Sequence, residues 1–164
     1  MKKFLNEIKD YVIIIVAVIL VRTFIITPAI VDGASMDKTL EDGQLIIINK
    51  INYRFNNPKR FQIVVVKNTN ENDKIIKRII GLPNEKVEYK NNNLYINDEL
   101  VEENYEHGLT EDFVLTTSKD EYLVLGDNRE VSKDSRVLGN FKKKELIGNV
   151  NIRIYPLDKI GKIK

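Results

Sequence analysis

The chain has no cysteine and a single histidine in 164 residues. The missing cysteine excludes disulfides, thiolate zinc sites and a cysteine nucleophile together. The lone imidazole, His107, excludes a metal site built from several histidines. Its place beside Gly108 in an acidic polar stretch reads as an exposed loop. It would complete a Ser-His-Asp triad only if that loop reached the site. A hydrolase of this composition therefore points to a base other than histidine, and lysine is the obvious one. An excess of one charge sign is lacking as well, the formal net charge being +2. The nearest thing to a basic stripe, Lys142-Lys143-Lys144, reads as a solvated face, so nucleic acid is not an expected partner.

Long hydrophobic runs are scarce too. The hydrophobic residues make up 43% and the charged ones 30%, which fits neither a disordered chain nor a polytopic membrane protein. The length suits one domain with a real core. One apolar run stands out, Tyr11 to Val21, resumed by Phe24-Ile25-Ile26 after Arg22-Thr23. From Tyr11 to Ile26 it would extend about 24 Å as a helix, against the roughly 20 residues of a full span. Thr27-Pro28-Ala29-Ile30-Val31 after it offers no convincing small-x-small cleavage site, which argues against a removed signal peptide. A buried core helix is the bland alternative; a single-pass anchor is the reading adopted. Lys2, Lys3 and Lys9 ahead of the run would keep residues 1–10 in the cytoplasm. Arg22 would cost about 2.5–3.5 kcal/mol at the bilayer centre, so the outer end of the anchor is placed near it. The expected division is thus 1–10 cytoplasmic, 11–26 transmembrane and 27–164 an extracytoplasmic β-rich domain.

After residue 40 short β-branched runs dominate: Leu45 to Ile48, Ile63 to Val66, Lys86 to Tyr89, Leu94 to Ile96, Glu121 to Leu125 and Val150 to Tyr155. Asn91-Asn92-Asn93 and Asn97-Asp98 are turn signals, since these residues tolerate positive φ. A short helical turn is expected near Lys142 to Leu146. The fold class is mainly β: an antiparallel β-sheet catalytic domain with one N-terminal transmembrane helix.

Four segments carry the chemistry. They are Gly33-Ala34-Ser35-Met36-Asp37-Lys38-Thr39-Leu40, the apolar strand Ile63 to Val66, Lys77-Arg78-Ile79-Ile80-Gly81-Leu82-Pro83, and Gly126-Asp127-Asn128-Arg129-Glu130-Val131-Ser132-Lys133-Asp134-Ser135-Arg136. Singly, each has an ordinary structural reading: a turn serine, a surface lysine, a salt-bridged loop. In this order, behind an apolar N-terminal segment, they resemble the bacterial type I signal peptidases. That family's boxes run Ser-Met-x-Pro-Thr-Leu, Lys-Arg-x-x-Gly-Leu-Pro-Gly-Asp and Gly-Asp-Asn-Arg-x-Asn-Ser-x-Asp-Ser-Arg. The short length is similar to the compact Gram-positive form. The chain departs from the pattern at Lys38 for proline, Val131 for asparagine, Asn84-Glu85 for Gly-Asp, and Phe61-Gln62 for a Gly-Asp ahead of the apolar strand.

The resemblance implies a membrane-bound serine endopeptidase that removes signal peptides after a small-x-small motif. Ser35 would be the nucleophile and Lys77 the general base, with Ser132 hydrogen-bonding and orienting the lysine amine. A lysine serves as base only when neutral, so its amine must be desolvated, and Ile76 and Ile79 are neighbours of the kind that do this. The Ser35 backbone N–H would donate to the oxyanion; Gly33, where some relatives carry serine, offers no hydroxyl. Asp127, Arg129, Asp134 and Arg136 read as a paired charge network that fixes the loop carrying Ser132. Val31, Met36 and Ile76 would line shallow pockets for an extended peptide added as a strand. Expected partners are preprotein signal peptides and membrane lipid, at the bacterial cell membrane; no metal or organic cofactor is implied. Two other classes compete: a catalytically weakened or silent paralogue, and a LexA-type self-cleaving Ser/Lys peptidase.

Overall fold

The computed structural model describes residues 2–68 and 73–163, with backbone alone for 2–7; residues 1 and 164, the outer bounds of the expected segments, lie outside them. The elements run α1 (Lys2–Phe24), β1 (Ile26–Ile30), β2 (Leu45–Asn49), α2 (Asn52–Phe55), β3 (Ile63–Asn68), β4 (Asp73–Gly81), β5 (Lys86–Lys90), β6 (Asn93–Ile96), β7 (Glu99–Val101), β8 (Phe113–Thr116), β9 (Glu121–Leu125), α3 (Ser135–Leu138), β10 (Phe141–Lys142), β11 (Leu146–Tyr155) and β12 (Gly161–Lys162). The larger sheet has the order β1-β2-β11-β3-β4-β9-β10, with β12 on β11; the smaller is β7-β6-β5-β8. The pairings are antiparallel.

The β-branched run in β3 follows from burial on both faces. Ile63 and Val65 join Val31, Met36, Leu40, Ile46, Ile48 and Val150 in one core. Val64 and Val66 join Ile79, Tyr122, Val124, Phe141 and Leu146 in another. A third core lies against the smaller sheet, where Val87, Tyr89, Leu94 and Ile96 meet Ile80, Leu123 and Leu125. The asparagine turns form as expected: Asn91 and Asn92 take φ of 50° and 63° between β5 and β6, and Asn97 and Asp98 take 51° and 70° between β6 and β7. Both are two-residue hairpin turns, which need positive φ at the two central positions.

The N-terminal apolar segment is helical but ends earlier than expected. Ile25 is in a turn and Ile26 opens β1, paired with Asn49. Among the described residues no helix is long and apolar enough to cross a membrane. The reason is visible in α1, whose uncharged apolar stretch, Tyr11 to Val21, is bounded by Lys9-Asp10 on one side and Arg22 on the other. The helical part of the expected segment 11–26 thus ends at Phe24. The large apolar side chains of α1 from Ile8 to Phe24 are nevertheless 41–69% exposed, so the domain does not bury them.

Strand β4 positions the chemistry. Strand β3 pairs with it from Asp73 to Arg78, on one side only. On the other side β9 pairs with Arg78, Ile79 and Gly81. Residues 73–77 therefore keep one edge without a strand partner among the described residues. Strand β1 closes the opposite end of the same sheet, with β2 on one side and Pro28 within it, as suits an edge.

Candidate active site

Ser35 sits in the turn that follows β1. That turn is anchored below by Met36 and Leu40, which are 1% and 0% exposed. From above, the Asn128 backbone N–H donates to the Ser35 carbonyl at 3.1 Å, and the Asn128 side-chain amide donates to the Ala34 carbonyl at 3.1 Å. Lys77 lies at the middle of β4, opposite Val64. Its amine donates to Ser35 Oγ at 2.6 Å, and the residue is 3% exposed. Burial pushes that amine down to about 8; Asp134 and Asp127 oppose the shift, and Arg136 adds to it. Desolvation disfavours the ammonium, and here it outweighs the two carboxylates.

A cavity of about 280 Å³ opens beside this contact. Val31, Met36 and Ile76 line it with Ser35 and Lys77, as the sequence reading placed them, and so do Ala29, Ile48, Val65 and Ile75. The free edge of residues 73–77 borders it. The Ser35 N–H has no hydrogen-bond acceptor among the described residues, while the Gly33 N–H is occupied by Asp42 Oδ1 at 2.8 Å.

Ser132 reaches the site but not in the expected way. Its hydroxyl is buried and makes no hydrogen bond among the described residues; the expected bond to the Lys77 amine is not formed. It packs instead on Gly126, where an added Cβ would collide with Ser132 Oγ and the Ser35 carbonyl oxygen. A glycine there is what lets the two serine-bearing segments approach.

The charge network is real, yet its pairings reach outside the loop. Asp127 accepts from Arg78 Nε at 2.8 Å and Nη2 at 2.7 Å, and from Thr39 Oγ1 at 2.5 Å. Arg78 also lies 3.9 Å from the Tyr105 ring centroid. Arg129 pairs with Glu103 at 2.9 Å and donates to Thr110 and Tyr105. Only Asp134 and Arg136 pair with each other, at 2.8 Å, while Asp134 also accepts the Gly126 N–H at 3.0 Å. Glu103 takes donors from Tyr89, Tyr105 and Arg129. Burial works against its carboxylate, but Arg129 and these hydroxyls prevail and hold it below the usual carboxylate range. His107 Nε2 stands 3.3 Å from Glu103 with a side chain 13% exposed, so it is a partly buried member of this cluster rather than a free loop residue.

Sequence reasoning missed Thr39, Arg78, Glu103, Tyr105, Thr110 and Asn128 as supports. Thr39, Arg78 and Asn128 were visible inside the four segments; Glu103, Tyr105 and Thr110 carry no local signal. The departures also acquire physical meaning. Phe61 and Asn84 occupy positions of positive φ, 66° and 61°, where the family pattern has glycine. Glu85 keeps a carboxylate role, accepting from Arg60 at 2.9 and 2.7 Å and from the Leu82 N–H at 2.6 Å. Val131 is 63% exposed and touches nothing that explains its choice. Among the described residues no cluster of His, Cys, Asp or Glu is arranged to hold a metal.

A serine hydroxyl against a buried amine, beside a cavity lined by both apolar and polar residues and an open strand edge, suits a serine peptidase. Residues 4–155 match the family described as signal peptidase, peptidase S26, and the chain belongs to that family. It is 37% identical to signal peptidase IB of Staphylococcus aureus, over 94% of this chain and 91% of that one. It is 39% identical to signal peptidase I of Bacillus amyloliquefaciens, over 98% and 92%. A crystal structure of signal peptidase I from Enterococcus faecalis matches with a TM-score of 0.53 and 34% identity, covering 57% of this chain and 97% of that one. The chain is therefore a serine peptidase of the signal peptidase I family.

Proposed function

We propose that this peptidase cleaves signal peptides from preproteins through a Ser35–Lys77 dyad. The observation that carries the reading is the 2.6 Å contact between the Ser35 hydroxyl and an amine that is 3% exposed. Once neutral, the amine accepts the hydroxyl proton across the same contact while Ser35 Oγ attacks the scissile carbonyl. The resulting ammonium then hands the proton to the leaving amine, and a water, deprotonated in turn by Lys77, releases the acyl group. The Ser35 N–H is the oxyanion donor. Asp127, Arg129, Asp134 and Arg136 hold the loop behind the dyad. Ser132 is carried on that loop and packs on Gly126 beside the Ser35 carbonyl.

The substrate enters as an extended strand. The unpaired edge of residues 73–77 supplies backbone partners, and Val31, Met36 and Ile76 form shallow apolar walls that favour small side chains at positions −3 and −1. The names of the relatives support preproteins as the substrates. The peptidase domain, residues 27–164, works at the outer face of the bacterial membrane, where such precursors emerge, and the exposed apolar side chains of α1 hold it there by embedding in lipid.

The test is cleavage of a purified precursor with alanine at −3 and −1 by the full chain in detergent. A single cut after the −1 residue is expected, with none by Ser35→Ala. Cleavage at an unrelated position, or undiminished cleavage by Ser35→Ala, would refute the reading.

A further inference from the structure

A second concavity lies where α1 meets the domain. It is an open basin of about 560 Å³ lined by Lys50, Tyr53, Arg54, Asp120, Lys143, Lys144, Leu146 and Ile147. Four cations thus face one carboxylate. Among the described residues none of the four is in an ion pair: Lys143 donates to Asn57 Oδ1 at 2.7 Å, and Lys50 to the carbonyls of Arg22 and Thr23 at 3.4 and 3.3 Å. Four like charges facing a single carboxylate leave net repulsion, and an anion relieves it.

The position of the basin says which anion. Lys50 caps the last carbonyls of α1, and Arg54 stacks on Phe24 at 5.1 Å from its ring centroid, so the basin adjoins the end of the exposed apolar helix. Phe55, next to Arg54, is 80% exposed. Apolar side chains beside an excess of cations match the boundary between acyl chains and headgroups. We propose that this basin binds the phosphate of an anionic membrane lipid, with Lys50, Arg54, Lys143 and Lys144 as its donors and Phe55 entering the acyl boundary. The proposal rests on the reading that α1 embeds in a membrane.

The absence of cysteine makes the test direct, because Phe55→Cys in the full chain carries an environment-sensitive dye at one place only. The labelled protein is mixed with phosphatidylcholine vesicles, or with vesicles also holding about 30% phosphatidylglycerol, a fraction high enough to give an anionic surface. Flotation with both vesicles reports α1; a spectral shift of the dye confined to the anionic vesicles reports the basin. Removing one cation should weaken the anionic preference about fivefold, the equivalent of about 1 kcal/mol per lysine or arginine near such a surface. Arg54→Gln with Lys143→Gln and Lys144→Gln should abolish the shift, while precursor cleavage in detergent stays within about twofold of the parent, as for surface changes remote from the site. Lys144→Gln alone, at an exposed position, gives the same sign without risk to folding. Flotation with both vesicles but no anion-dependent shift overturns the proposal and spares the membrane reading. Failure to float with phosphatidylcholine overturns both. An equal shift with inorganic phosphate in detergent, or a shift that survives the triple substitution, overturns the lipid or the basin respectively.

Discussion

Arg78 and Asp127 meet in a bidentate ion pair, Nε to Oδ1 at 2.8 Å and Nη2 to Oδ2 at 2.7 Å, with side chains 3% and 0% exposed. Arg78 is the chain neighbour of Lys77, and Asp127 also holds Thr39 of the serine turn. Asp127→Asn removes the charge and leaves the guanidinium buried without its counter-ion. Breaking a buried pair from one side costs about 3–5 kcal/mol. Urea denaturation should show a loss of that size, and a loss under about 1 kcal/mol would mean that solvent or another group serves Arg78 equally well.

Lys77→Arg separates charge from basicity. Arginine keeps the positive charge but cannot give up its proton in the working pH range. If the residue acts as general base, cleavage should fall by about 10²–10⁴ in a protein still folded by circular dichroism. Retention of roughly a tenth of the parent rate in the folded variant, far above that range, would take the base role away from Lys77.

If Lys77 is the base, its lowered pKa predicts the pH dependence. Cleavage should rise about tenfold per pH unit below the amine's value of about 8 and level off above it. Stability follows with a definite sign. The folded value lies below the unfolded one of about 10.5, so keeping the ammonium buried costs stability in full below about 8. That cost, on the order of 3 kcal/mol, disappears as pH rises from about 8 to about 10.5. In Lys77→Met the same rise should be missing from urea midpoints measured across that window. A rate maximum near pH 5 would contradict a neutral-lysine base.

Lys38 invites restoration of the proline found in the family pattern, and here that should do harm. Its φ is 104°, whereas proline is confined to about −65°. Lys38→Pro must reshape the turn between Met36 and Thr39, displacing Ser35 from Lys77. A stability loss greater than about 1 kcal/mol is expected, together with reduced cleavage. Lys38→Gly, which tolerates the angle, should be neutral or stabilising, and the opposite ranking of the two variants would show that the turn takes another conformation.

The Ser35–Lys77 contact and the cavity walls were legible because they fall within short segments whose residue types belong together. The hairpin turns were legible for a similar reason, since asparagine at positive φ is a local property. Strand β4 was harder to count as a strand: Asp73 and Lys74 open it and Lys77-Arg78 sit at its centre, so the usual alternation is hidden. Strands β7, β8, β10 and β12 are too short to show any period, and the helices α2 and α3 are single turns. The Glu103 cluster was invisible because its members converge only through tertiary packing. The helix end was over-read by two residues, because the apolar run continues through Ile25-Ile26 while the backbone leaves the helix after Phe24 and enters β1 at Ile26.

The Asp127 interlock has a consequence in time. Its oxygens join residues 88 and 49 positions apart in the chain, Thr39 and Arg78 being the earlier partners. Ser35 and Lys77 are synthesised long before the segment that ties their surroundings together. A ribosome-bound chain carrying Ser35 and Lys77 lacks that clamp until residue 127 has emerged and the long loops have closed. The Asp127 segment is therefore the last part of this arrangement to be made, although the serine turn and the lysine strand that it joins come from the first half of the chain.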